Sequence, residues 1–401
     1  MRVKPVLAAL ALLLAGCSAT PPPAPAPAPA TDPAKVVGYF TDWGVYGRNF
    51  QVRNLETSGA AGELTHLMYA FGKVSDGACQ AGDTWADYEK PVSAAESVDG
   101  AADVPDEGLR GNFGQLRKLK ARHPQLRVVW SFGGWSGSAG FGAAAGDPAK
   151  FAASCAKLLR DRRWAGLFDG IDIDWEYPNA CGLTCDKSGP DALGGLLTEL
   201  RKELGPDAVV TAAVPADAGK LTTSDYADVA APASWLNAMT YDFFGTGDSP
   251  GPTAPHSPLT SYPGIPQATA TTDAAIQGLL GLGIPAGKIL LGVGFYGRGW
   301  TGVASATPGA QATGAAPGSY EKGLEDYGVL SRRCPPTGLV GGTAYAFCAG
   351  QWWSYDTPQT IGTKMAYAQN HHLAGAFAWE LGGDTADAQL LHAMADGLSR
   401  P

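Results

Sequence analysis

Charge is scarce in this chain. Only 17% of its 401 residues are Asp, Glu, Lys or Arg, and acids outnumber bases 38 to 29. Nucleic-acid affinity draws on Lys and Arg, so a net charge of −9 argues against a phosphate-binding function. Histidine is sparse as well, with six residues scattered along the chain. A metal site would prefer histidine or a larger set of acids. No Gly-x-Gly-x-x-Gly turn follows the first apolar run, which weakens a doubly wound nucleotide-binding sheet. No internal repeat stands out. Glycine is abundant at 54 residues but has no three-residue period, which excludes a collagen-like rod. Hydrophobic residues make up 45% of the chain, enough for a sizeable core. Length alone allows two to three domains or one large α/β barrel.

The N-terminus combines a short basic start, Arg2 and Lys4, with an apolar stretch of nine residues, Val6–Leu14. Nine residues cannot span a bilayer core of ~30 Å, so residues 1–16 read as an export signal and not as an anchor helix. Leu14-Ala15-Gly16-Cys17 is similar to the bacterial lipoprotein signal, in which Cys17 becomes the lipid-bearing N-terminus. An ordinary signal with an incidental cysteine is the alternative. The Pro/Ala alternation from Pro21 to Ala30 favours extended polyproline II, so residues 17–34 read as a spacer. These features predict export to the cell envelope, with membrane contact only through the lipid. Seven cysteines minus Cys17 leave six, an even number that favours disulfides in an exported protein. Six allow fifteen pairings. Proximity makes Cys181–Cys185 and Cys334–Cys348 the cheapest, leaving Cys79–Cys155; buried free thiols are the alternative.

Residues 35–401 read as the body. Eight short apolar runs recur there: 36–40, 64–71, 126–132, 168–174, 208–214, 235–241, 288–296 and 373–380. Helical patterns separate most of them, which implies a parallel sheet. Eight such units imply a closed (β/α)₈ barrel with its active site at the C-terminal strand ends. The gap between the seventh and eighth runs is too long for a bare loop, and Gly299–Trp353 reads as a small inserted subdomain walling one side of the cleft.

The chemistry concentrates in the fourth run, Asp169-Gly170-Ile171-Asp172-Ile173-Asp174-Trp175-Glu176. Alternation along a strand puts Asp172, Asp174 and Glu176 on one face, about 6–7 Å apart, with Ile171 and Ile173 on the other. Crowded carboxyls inside a barrel raise one another's pKa and keep one protonated, as a general acid requires. Glu176, nearest the open end, is the natural acid. Asp174 would orient it, and Asp172 would lie deepest, sharing a proton with Asp174. A Mg²⁺ or Ca²⁺ site and a structural polar network are competing readings. The other strand ends present Tyr39 with Trp43, Tyr69 with Phe71, Ser131 with Trp135, Tyr241 with Asp242, Tyr296 with Arg298, and Trp379. Aromatic faces stack on the C–H faces of sugar rings, which suits a polysaccharide.

These residues carry a family resemblance. Asp169–Glu176 resembles the Asp-x-x-Asp-x-Asp-x-Glu signature of family 18 glycoside hydrolases, the chitinases. Ser131-Phe132-Gly133-Gly134-Trp135, Met239-Thr240-Tyr241-Asp242, Tyr296-Gly297-Arg298-Gly299-Trp300 and Phe377-Ala378-Trp379-Glu380 are similar to other motifs of that family. The runs Tyr39–Phe50 and Gly111–Leu116 resemble its bacterial group with an inserted α+β subdomain. The resemblance spans about Val36 to Leu398.

It implies hydrolysis of β-1,4-linked N-acetylglucosamine polymers with retention, using the substrate's own 2-acetamido group as nucleophile. By resemblance, Glu176 is acid and then base. Asp174 holds the acetamido N–H, and Asp172 balances its charge with help from Tyr39 and Ser131. Tyr241 donates to the acetamido oxygen. Met239, Asp242, Tyr296 and Arg298 shape the pocket, and Trp379 is its floor. Trp43 falls toward the non-reducing side and Trp135 on the product side, and Phe71 is a further substrate-binding residue. No cofactor and no metal are implied, and the protein is expected to act as a monomer on chitin and chito-oligosaccharides. A chitinase-like lectin commonly lacks the terminal acid, whereas Glu176 is present here. An endo-β-N-acetylglucosaminidase on the same barrel is the other alternative. The segment Gly245–Pro258 is rich in Gly and Pro, and the product-side platform that related enzymes can place there is expected to be missing.

Overall fold

Alternation of side chains along eight short strands builds the central barrel. The computed structural model describes residues 33–104, 108–247 and 250–399. The expected export signal, Cys17 and nearly all of the spacer lie outside these residues. The strands are β1 (Lys35–Thr41), β2 (His66–Ser75), β3 (Arg127–Gly133), β4 (Gly170–Asp174), β5 (Val209–Val214), β6 (Trp235–Ala238), β7 (Ile289–Gly294) and β8 (Gly375–Trp379). Each pairs in parallel with the next, and β8 pairs with β1, so the sheet closes. The fold is the (β/α)₈ barrel that the alternating pattern implies.

Two apolar layers follow from the period of two. Val37, Tyr39, Met68, Val129, Trp235, Leu290 and Phe377 fill the barrel interior. The alternate residues of the strands, such as Leu67, Val128, Ile171, Ile173, Val210, Leu236 and Leu291, face outward in the larger core. That core also takes the apolar faces of helices Gly111–Arg122, Pro148–Leu159, Ala192–Leu204, Thr272–Gly281, Pro358–Asn370 and Gln389–Ser399. Local chemistry starts several of them. Asp147, Thr271 and Thr357 accept N–H bonds at their N-termini, and Pro148 and Pro358 occupy the first helical position, where no donor is needed.

Two apolar runs break earlier than their hydrophobicity implies. The run 235–241 leaves the barrel after Ala238, because the Thr240 and Tyr241 N–H groups turn back to the Ala238 and Met239 carbonyls. The run 288–296 ends its barrel pairing at Gly294, and Tyr296 begins a second sheet. That sheet is antiparallel and contains Tyr296–Thr301, Gly314–Ala315, Leu324–Asp326, Gly338–Val340, Thr343–Cys348 and Gln351–Tyr355, with helix Tyr327–Arg333. It is the α+β insertion between β7 and β8, and its pairing reaches beyond Gly299–Trp353 at both ends.

Buried bonds tie the insertion down. Lys364 Nζ donates to Asp356 Oδ2 at 2.5 Å and to the Ser257 carbonyl at 2.7 Å, and Thr343 Oγ1 donates to that carbonyl at 2.6 Å. The segment read as a Gly- and Pro-rich loop therefore includes a buried stretch, with Thr253, His256 and Ser257 closed off from solvent. Three disulfides join Cys79–Cys155, Cys181–Cys185 and Cys334–Cys348, so none of the six cysteines is a free thiol. Among the described residues no helix is long and apolar enough to cross a membrane.

Candidate active site

The acidic row lies where the alternation puts it. Asp172 and Asp174 point into the barrel from β4, and Glu176 follows at its C-terminal end. Asp169, the first acid of the signature, lies at the opposite end of the strand. It pairs there with Lys120 at 2.6 Å and Arg127 at 3.1 Å, away from the others.

Asp172 is fully enclosed and saturated by neutral donors. Its Oδ2 accepts from Tyr39 Oη at 2.9 Å and Ser131 Oγ at 2.7 Å. Its Oδ1 accepts from Thr211 Oγ1 at 2.6 Å and Asn237 Nδ2 at 3.3 Å. Strand register explains two of these bonds, because Ser131, Asp172 and Thr211 are lateral neighbours on β3, β4 and β5. Burial pushes the Asp172 carboxyl up, and the four bonds counteract it. No hydrogen bond joins Asp172 to Asp174, so the proton sharing expected between them does not take that form. Asp174 Oδ1 is buried without a partner. Burial, then the Glu176 and Asp172 charges, push Asp174 well above the usual carboxylate range. Glu176 is pushed up to about 7, mainly by burial, against a bond from Tyr177 that lowers it. Among the described residues no group of three or more His, Cys, Asp or Glu side chains is arranged to hold a metal ion.

Backbone clips place Glu176. Its N–H donates to Ser138 Oγ at 2.8 Å, and Ser138 Oγ donates to the Gly134 carbonyl at 2.8 Å. The Gly134 N–H donates to the Asp174 carbonyl at 2.8 Å. This contact needs glycine. Gly133 has φ +111°, and a Cβ there would stand 2.2 Å from the Asp174 carbonyl oxygen. We expect Gly133→Ala to displace the end of β4, costing ~1–3 kcal/mol of stability and about tenfold or more in kcat. Unfolding and kinetics of the purified variant check both.

The remaining predicted residues fall into two groups around this row. On one side Tyr241, Met239 and Asp242 share with Glu176, Tyr177 and Lys220 a cavity of about 250 Å³. Burial, then the Tyr296 hydroxyl and nearby carboxyls, push the Tyr241 hydroxyl well up, so it stays a donor. Its ring meets Tyr296 at 6.3 Å and Phe377 at 6.0 Å. Arg298 grips Asp242 with two bonds, Nε to Oδ1 at 2.8 Å and Nη2 to Oδ2 at 2.9 Å. Burial would raise Asp242, but the Arg298 charge and its bonds hold the carboxyl well below the usual range. On the other side Trp379 stacks on Phe71 at 5.5 Å and 22°, meets Tyr39 edge-on at 5.4 Å, and lies 6.4 Å from Trp43. Trp43 and Phe71 also line a groove of about 710 Å³. Trp43 is 40% exposed and Trp135 is 53% exposed, so both offer ring faces to solvent. Trp135 stands apart from these ring contacts, beside Gly182.

Sequence reasoning passed over Thr211 and Asn237, which complete the cradle of Asp172. Their only signal was one polar residue inside each apolar run, Val209–Val214 and Trp235–Ala238. It also passed over Ser138 and Lys220, which sit on helices of one turn, Ser138–Gly140 and Ala218–Leu221, and Tyr177, which follows β4, all too short to show a period.

A closed barrel with this carboxylate row under an aromatic wall has clear relatives. The chain belongs to the glycosyl hydrolases family 18, whose family model matches residues 35–384. It is 56% identical over 355 residues to "Chitinase C" of Streptomyces lividans, covering 88% of this chain and 57% of that protein. It is 54% identical over 366 residues to "Chitinase 63" of Streptomyces plicatus, covering 90% and 60%. The chain thus spans less than two thirds of the length of these relatives. The solved catalytic domain of psychrophilic chitinase B from Arthrobacter TAD20 aligns with a TM-score of 0.86 at 34% identity, covering 91% of this chain and 95% of that one.

Proposed function

We propose that this chain is a chitinase that cleaves β-1,4-linked N-acetylglucosamine polymers with retention. The observation that carries the reading is the row itself: an acid near neutrality at Glu176, an unpartnered buried oxygen at Asp174, and a saturated Asp172 behind them. Relatives above half identity that are named chitinases support the substrate class.

In this reading Glu176 gives its proton to the glycosidic oxygen as the C1–O bond breaks. The substrate's 2-acetamido oxygen attacks C1 and closes an oxazolinium ion. Asp174 accepts the acetamido N–H, and Tyr241 donates to the acetamido oxygen. Glu176, now a carboxylate, takes a proton from the water that opens the ring at C1. Two inversions leave the configuration retained, and no second carboxylate is needed as nucleophile. Asp172, held by Tyr39, Ser131, Thr211 and Asn237, fixes the charge behind Asp174. Trp379 forms the floor under the reacting sugar, and Met239, Asp242, Tyr296 and Arg298 form its walls. Trp43 with Phe71, and Trp135 beyond, offer platforms to the chain on either side.

The barrel supports this chemistry with its own residues and calls on no cofactor. We further infer that residues 1–16 are an export signal, that Cys17 carries a lipid, and that residues 17–34 space a monomeric catalytic body from the cell envelope. Proton NMR of early products from chitotriose should show the β-anomer first. Initial release of the α-anomer would sink the mechanism. Mass spectrometry of the mature N-terminus should find a lipid on Cys17, and an unmodified cysteine there would refute the anchor.

A further inference from the structure

Of the three disulfides, Cys181–Cys185 has the least to stabilise. Its sequence separation is 4, against 76 and 14 for the others, so it constrains the unfolded chain least. Both its cysteines are exposed, whereas Cys79, Cys155 and Cys334 are buried. The loop it closes adds nothing to the core, because Leu183, its one large apolar residue, is 60% exposed. Such a bridge calls for a local role.

Its surroundings supply one. Cys181 and Cys185 face each other as an antiparallel bridge, the Gly182 N–H donates to the Thr184 carbonyl at 3.0 Å, and the Asp186 N–H donates to the Ala180 carbonyl at 2.8 Å. At the base of the loop Asp186 Oδ2 accepts from the N–H groups of Asn179 at 2.8 Å and Ser188 at 3.0 Å. Asn179 Nδ2 donates to the Thr223 carbonyl at 2.7 Å, which bonds this base to the segment after β5. Gly182 lies against two parts of the site. A Cβ there would stand 2.3 Å from the Glu176 carbonyl oxygen and 3.4 Å from Cζ3 of the Trp135 ring. The loop therefore seats this closely only because residue 182 has no side chain. Glu176 has a second hold, the bond from its N–H to Ser138 Oγ at 2.8 Å. The Trp135 ring is 53% exposed, so few other groups hold it.

We infer that the disulfide-closed loop Cys181–Cys185 is a positioning element: Gly182 backs the Trp135 ring and fixes it as a platform, so the loop governs how tightly the site holds a chitin chain beyond the cleaved bond. The inference rests on the reading of the cleft as a chitin site with Trp135 on its product side. A ring adds most to sugar binding when its orientation is set beforehand, because a ring free to turn must be ordered at each binding event. Without the bridge the loop is free to leave its seat and Trp135 gains rotamers, while Ser138 still holds Glu176.

The test is a double-mutant cycle on chitohexaose between the pair Cys181→Ala/Cys185→Ala and Trp135→Ala, made in the full chain. We expect the cysteine pair to raise KM about fivefold while kcat changes less than about twofold. Trp135→Ala should raise KM at least as much. Removing the bridge in that background should then change KM less than about 1.5-fold, because the loop has no ring left to hold. Gly182→Ala keeps the disulfide but lifts the loop from the Glu176 carbonyl. It should show the same dependence of KM on Trp135, and it carries the cycle if the cysteine pair does not fold. An unchanged KM on removing the bridge, effects of bridge and ring that simply multiply, or a loss confined to kcat overturns the inference while the chitinase reading stands. If the unmodified chain does not hydrolyse chitohexaose, both fall together.

Discussion

Glu176→Gln is expected to lower kcat on chitotriose by ~10²–10⁴-fold, the range for loss of a positioned general acid. The amide keeps the shape of the side chain but has no proton to give the leaving oxygen. The unmodified chain should show a matching pH signature. Glu176 is pushed up to about 7, chiefly by burial. The first step needs the protonated form, and its fraction falls as pH rises through that value. The limb of kcat/KM above pH ~7 should therefore fall about tenfold per unit and should vanish in Glu176→Gln. Steady-state kinetics over a pH series measures both. A variant within threefold of the unmodified chain would remove Glu176 from the acid role and return the site to a binding protein.

The second large effect belongs to the substrate. Fully deacetylated chitosan should be cut at least ~10³-fold more slowly than chitin oligomers of equal length, because it lacks the intramolecular nucleophile and the rate advantage of a tethered reactant. Nothing in the site replaces it. Of the two carboxylates behind Glu176, Asp172 is saturated by Tyr39, Ser131, Thr211 and Asn237. Asp174 is pushed well above the carboxylate range, first by burial and then by the Glu176 charge, so it is a poor nucleophile. Reducing-end assays on matched acetylated and deacetylated hexamers decide it. Equal rates would mean that the chain supplies its own nucleophile.

The acidic row was legible in the sequence because acids inside an apolar run are conspicuous and strand geometry has a single period. The barrel was legible for the same reason, eight times over. What remained hidden depends on contacts between strands. Thr211 and Asn237 become partners of Asp172 only once β4, β5 and β6 are in register, and nothing local distinguishes such a residue from a polar one facing a neighbour's backbone. The run 288–296 looked like one strand because hydrophobicity is continuous across Gly294. The departure of the chain there comes from packing, since a Cβ on Gly294 would stand 2.8 Å from the Tyr296 ring and 3.0 Å from His256.

Tyr296 and Arg298 belong to the first strand of the insertion, not to the barrel, and Arg298 closes on Asp242 from there. The insertion is therefore not a detachable module. A deletion that trims it back to a plain barrel would remove the guanidinium from the cleft and leave the Asp242 carboxylate uncompensated, so domain shuffling between relatives must exchange the barrel loop at Asp242 together with the strand that answers it.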